Sequence, residues 1–132
     1  MTAEPEKLVH GGEFLALSEM KRIVPQPKDG RPWMLTSPLI YRCADGLTIV
    51  VPDGYRSDLA SVPWFCRRIF PQDGPWTYAA IVHDWCCDIR PPHISSVRAA
   101  KIFREAMTAL QVAKFQREAM YRAVLWFGPK WP

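Results

Sequence analysis

His83-Asp84 stands in an otherwise apolar stretch, with Ala79-Ala80-Ile81-Val82 before it and Trp85-Cys86-Cys87 after it, and Asp58 precedes it by about two dozen residues. Charge beside apolar runs is costly unless paired or metal-bound, and Arg56, Arg67, Arg68 and Arg90 could supply partners. A helical His can act as general base toward a water while carboxylates hold a divalent cation that polarises the substrate. That is the layout of an acyl or phosphoryl hydrolase. Adjacent helical residues point about 100° apart, so the pair needs Asp58, or a loop, to complete a site. The candidates are therefore His83 as base, Asp84 and Asp58 as catalytic carboxylates and metal ligands, and Arg56 as an oxyanion or phosphate contact, with Ser61 a further ligand contact. The plainer reading has His83 bonded to Asp58 or to a carbonyl, locking a turn onto the helix.

Two other chemistries fit less well. Zinc binding by Cys86, Cys87, His83 and His93 lacks the Cys-x-x-Cys spacing that brings two sulfurs to one metal, and buried apolar thiols explain the cysteines better. Ser61 or Cys66 as a nucleophile paired with His83 lacks a Gly-x-Ser-x-Gly elbow, and Ser61 serves equally as a helix cap. At the C-terminal end Arg122, Trp126, Phe127 and Trp131, with Lys130, form a compact aromatic and basic cluster. It reads either as an anchor for a protein partner, since Trp and Arg dominate interface hot spots, or as a tail packed on its own domain.

The elements that must position these residues follow from pattern. Gly11-Gly12, Pro25, Pro27, Gly30 and Pro32 punctuate residues 1–32 into a loop-rich segment. β-favouring runs at Trp33–Thr36, Leu39–Cys43 and Leu47–Val51, the last two joined by Ala44-Asp45-Gly46, predict an antiparallel hairpin within a β-rich stretch 33–62. Residues 63–128 read as helical. A short helix is expected around Trp64–Phe70, a second from Gly74-Pro75 to the stop at Pro91-Pro92, and a third capped by Ser95 or Ser96. The third has the stripe Ala99, Ala100, Phe103, Ala106, Met107 and Leu110; the last, from about Ala113, has Phe115, Ala119, Met120, Ala123, Val124 and Phe127 before Gly128-Pro129. The expected fold is α+β: a small antiparallel sheet packed against three to four helices, in one domain spanning 1–132.

With 48% hydrophobic and 23% charged residues the balance is globular. The net charge of +4 is mild, but from Arg98 onward seven basic residues face only Glu105 and Glu118, so the helical half is the cationic half. Helical spacing and the absence of a nucleic-acid motif favour solvated faces over a polyanion site. Nothing approaches the length of a membrane span. The opening Met-Thr-Ala-Glu-Pro-Glu lacks the features of a secretory signal, so we expect an intracellular product with free thiols.

The ordered blocks Ser57-Asp58-Leu59-Ala60-Ser61-Val62-Pro63, His83-Asp84-Trp85, Ala106-Met107 and Met120-Tyr121-Arg122-Ala123-Val124 with Phe127-Gly128 resemble the small phage and prophage family known as domain of unknown function 1353. The resemblance covers roughly Leu39 to Gly128. It implies a phage or prophage gene and a product in the host cytoplasm or incorporated in the virion, and it brings no established reaction. A fainter likeness, limited to His83-Asp84 and the following helix pair, is to bacterial phospholipase A2, but Ala99, Ala100 and Phe103 stand where that class offers an acid. Two readings result: an accessory protein with a metal-assisted hydrolytic pocket at Asp58, His83 and Asp84, its cofactor a divalent cation; or a non-catalytic virion or assembly component that binds another phage protein. They separate on whether His83 and a carboxylate reach an open cleft or are sealed in the fold.

Overall fold

A computed structural model describes residues 11–58 and 75–132; the helix expected around Trp64–Phe70, together with Ser61 and Pro63, lies outside the described residues. The fold is α+β. Six strands precede three helices among the described residues: β1 (Glu13–Ala16), β2 (Met20–Arg22), β3 (Trp33–Leu35), β4 (Leu39–Arg42), β5 (Thr48–Val51), β6 (Arg56–Ser57), α1 (Thr77–Ile89), α2 (Ser96–Ala109) and α3 (Lys114–Phe127). The strands form two antiparallel three-stranded sheets, ordered β1-β4-β5 and β2-β3-β6.

The hairpin forms as predicted, with Leu39 opposite Val51 and Arg42 opposite Thr48. Gly46, at φ 98, turns the chain, and the Asp45 carboxylate accepts from the Leu47 amide at 3.0 Å, a side-chain brace typical of Asp in turns. Strand periodicity sends Leu39, Tyr41, Ile49 and Val51 inward. β1 and β2 are short strands within residues 1–32, the segment read from sequence as extended or looped. They are only four and three residues long, with no clean alternation of burial, so their pairing depends on neighbours distant in sequence.

The helices cover the first sheet: α1 packs on β4 and β5, α2 on β1, and α2 lies between α1 and α3. Ser95 caps α2 by accepting from the Arg98 amide at 3.1 Å, as expected. Its buried face is Ala99, Ala100, Ile102, Phe103, Ala106 and Met107. α1 ends at Arg90 in the left-handed region (φ 48), whose amide bonds back to Cys86 O at 2.8 Å before Pro91. α3 departs from the expected stripe. Met120, Tyr121, Ala123 and Val124 face the core, whereas Phe115 and Phe127 are 78% and 70% exposed. Trp131 folds back on the protein: its indole N–H donates to Ile94 O at 2.7 Å and its carbonyl accepts from Ser96.

Candidate functional site

α1 presents different neighbours to different layers, and the pair His83-Asp84 is divided between them. His83 is 4% exposed, its ring 5.2 Å from that of Phe103 on α2 and its nitrogens 3.7 and 3.8 Å from Cys87 Sγ. Burial lowers its pKa to about 4, because the charged imidazolium would lose its hydration. At neutral pH it is a neutral side chain within the core.

Asp84 is half-buried and accepts a hydrogen bond from Ser57 Oγ at the end of β6. One turn on, Asp88 accepts from Tyr55 Oη at 2.7 Å and receives both arms of Arg31, at 2.8 and 3.2 Å. This bidentate fork is the geometry in which Arg holds a carboxylate best. The hydrogen bond to Asp88 raises the Arg31 pKa first of all, and the charges of Asp88, Tyr55 and Asp58 add to it, so Asp58 shares this field. Burial pushes the Tyr55 phenol well above its ordinary range, reinforced by the charge of Asp84 and the bond to Asp88. The edge of the Tyr55 ring meets Trp85 at 5.3 Å.

Asp84 and Asp88 therefore hold the polar contacts where the second sheet meets α1, with the charge of Asp58 acting on Arg31, while His83 takes its place in the core. Arg56 is engaged by Asp29: its Nη1 lies 3.3 Å from one carboxylate oxygen and its Nη2 bonds the other. Ser61 lies outside the described residues. Sequence reasoning missed Arg31, Tyr55, Ser57 and Asp88. The signal for Asp88 was available, because Asp84 and Asp88 are four apart and share a helix face.

Burial pushes the Cys86 and Cys87 thiols up to about 12, and Cys43 up to about 11, so at neutral pH they are protonated and poor metal ligands or nucleophiles. Among the described residues no group of three or more His, Cys, Asp and Glu side chains is arranged to hold a metal ion. Nor is any helix there long and apolar enough to cross a membrane. Among the described residues, surface clefts border α2 away from these carboxylates, one of about 400 Å³ between Arg104 and Arg117 and another of about 240 Å³ beside Cys43 and Arg98. Neither is lined by a predicted site residue.

The C-terminal cluster also divides. Trp131 is held by its own domain, with the Arg90 guanidinium 5.0 Å from its ring centre. Arg122 is exposed, as are Trp126 (63%) and Phe127 (70%).

Comparison with known proteins adds a family and two relatives. Residues 33–124 match the family described as "Protein of unknown function (DUF1353)". The uncharacterized protein y4jT of Sinorhizobium fredii (strain NBRC 101917 / NGR234) is 32% identical over 106 residues, covering 78% of this chain and 31% of that protein. The uncharacterized protein y4iH of the same organism is 29% identical over 79 residues, covering 58% and 32%. The chain thus spans about a third of the length of the curated relatives it matches. No solved structure matches it.

Proposed function

The chain belongs to the family of proteins of unknown function DUF1353, and from that premise we propose that it is a non-catalytic assembly module: it acts by binding protein, and its His-Asp pair is structural. One observation carries this reading. The carboxylates of α1 are engaged by the second sheet and its approach loop, Asp84 by Ser57 and Asp88 by Tyr55 and Arg31, while the adjacent His83 is buried and neutral. A general base must exchange protons with a water in a cleft, and a histidine with a pKa of about 4, 4% exposed, is poorly suited to that.

The binding surface on this reading is the outer face of α3, where Arg122 and Trp126 are exposed beside Phe127. The phage or prophage origin that the sequence blocks imply belongs to the same proposal, as does a role in the virion or its assembly.

The competing reading keeps a divalent cation between Asp58 and Asp84 with His83 as base. In its favour, the charge of Asp58 acts on Arg31 and that of Asp84 on Tyr55, the two side chains that also hold Asp88. Thermal unfolding of wild type and Asp84→Asn, with EDTA and with calcium, magnesium or zinc, decides between them. A ligand that binds only the folded state raises its stability. The module reading expects no cation to move the wild-type transition and Asp84→Asn to lower it in every condition. A cation that stabilises wild type but not Asp84→Asn would overturn it.

A further inference from the structure

The outer side of α3 has a pattern that its own core uses only in part, through the half-buried Ala119. Phe115, Ala119, Arg122 and Trp126 recur at spacings of four, three and four, the seam by which one helix packs along another. At 100° per residue Phe115, Arg122 and Trp126 point away from the buried face formed by Met120, Tyr121, Ala123 and Val124, and Ala119 borders that face. Phe115 is 78% and Trp126 63% exposed, separated by about 16 Å of helix. Exposed aromatics with an arginine between them along one helix face are the residue types that anchor protein interfaces.

The order of residues along the seam identifies the occupant. Laid antiparallel against a copy of itself about the midpoint of the seam, α3 sets Phe115 opposite Trp126 and Ala119 opposite Arg122. Each large side chain at the centre then meets a small one, and the aromatics meet at both ends. The same register brings Arg122 within one residue, about 1.5 Å of axial rise, of the level of Glu118 in the other copy. Because a two-fold axis keeps equivalent flanks on the same side, Arg122 and that Glu118 share a flank. Glu118 is the acidic residue of this helix, 21% exposed, and its ties to Arg104 and Arg117 within the chain are long, at 3.4 Å each. One surface thus supplies both halves of a self-complementary, isologous contact.

We propose that α3 pairs antiparallel with α3 of a second copy of this chain, through Phe115, Ala119, Arg122 and Trp126. This rests on the reading of the α3 face as a docking surface and names its occupant. The four aromatic rings, at roughly 150–250 Å² each and two-thirds to three-quarters exposed, bury roughly 400–700 Å². With Arg122 and the helix flanks the contact reaches the low end of specific interfaces, about 1,000–1,200 Å². The dimer is accordingly weak and concentration-dependent.

Sedimentation velocity of the full chain, from low micromolar to several hundred micromolar, tests the pairing, with thermal unfolding of each variant as the check on folding. Wild type is expected to pass from monomer to dimer. Ala119→Arg, which puts bulk and like charge opposite Arg122, and Trp126→Glu should stay monomeric with folding intact. Arg122→Glu, facing Glu118, should weaken association by at least about tenfold, and it serves as the decisive variant if either of the others fails to fold. A wild type that is monomeric throughout overturns the second-copy assignment, as does a dimer indifferent to all three substitutions. The module reading fails separately, through a cation effect that depends on Asp84.

Discussion

Acid should destabilise this protein through His83. The imidazole sits near 6.5 in an unfolded chain and at about 4 in the folded one. Between these values the unfolded chain binds the extra proton, so stability is complete above about pH 6.5 and is lost as pH falls toward 4. At about 1.4 kcal/mol per pH unit the loss is about 3 kcal/mol by pH 4, a large part of the 5–15 kcal/mol typical of a small domain. Carboxylates contribute to the same range, so the comparison is between wild type and His83→Leu, which removes the titrating group and keeps the site apolar. Urea unfolding followed by far-UV circular dichroism, at several pH values from about 7.5 to about 4, should give curves that converge on acidification, wild type losing about 3 kcal/mol more than the variant. His83→Gln, closer in polarity, should flatten the profile in the same way. Parallel curves, within about 0.5 kcal/mol, would refute the argument. They would mean that the imidazole keeps an ordinary pKa and trades protons with water, and the general-base role would regain its footing.

Three further outcomes follow from local geometry. Gly12→Ala should destabilise by about 2–3 kcal/mol in urea unfolding, because a Cβ there would lie 1.8 Å from Tyr41 Oη and 2.5 Å from Glu105 Oε1, and Tyr41 is fully buried. Ser95→Ala should cost about 1 kcal/mol by loss of the α2 cap, a shift of several degrees in the thermal midpoint, whereas Ser95→Asp should retain most of it. Asp88→Asn should cost about 1 kcal/mol, since the Arg31 pair is part-exposed (42% and 30%); hydrogen exchange should localise the loosening to β6 and the end of α1.

Much of the architecture could be read from pattern because local rules and tertiary packing agree there. The β4–β5 hairpin has alternating apolar residues around a turn that Asp45 and Gly46 favour, and α2 has a capping serine followed by a helical stripe. β1 and β2 were illegible for the opposite reason. Their partners, β4 and β3, are distant in sequence, and Glu13–Ala16 and Met20–Arg22 are too short to show a period. α3 shows a different failure. A periodicity count merges Phe115, which stands at the start of the helix on its outer side, and Phe127, which continues the core face as the helix's last residue, with the true core residues Met120, Ala123 and Val124.

The sequence named Asp58, His83 and Asp84 together, and the structure separates His83 from Asp84. Asp58, His83 and Asp84 all lie at the junction of sheet and helix, but the 100° step between His83 and Asp84 sends one toward Phe103 and the other toward Ser57. What unites the polar side is the i, i+4 pair Asp84 and Asp88 meeting donors from the loop before β3 and from Tyr55 and Ser57. Arg31 and Asp88 are 57 residues apart, and no local pattern announces their meeting. The arrangement has a mechanical consequence. α1 is joined to the second sheet by charge and hydrogen bonds at Asp84 and Asp88, and to α2 by the buried ring of His83, so the pair seats one helix between two layers. A helix fixed in this way supports α2, and α3 beyond it, and on the proposed reading that support holds the exposed aromatics of α3 ready for a partner rather than ordered on contact.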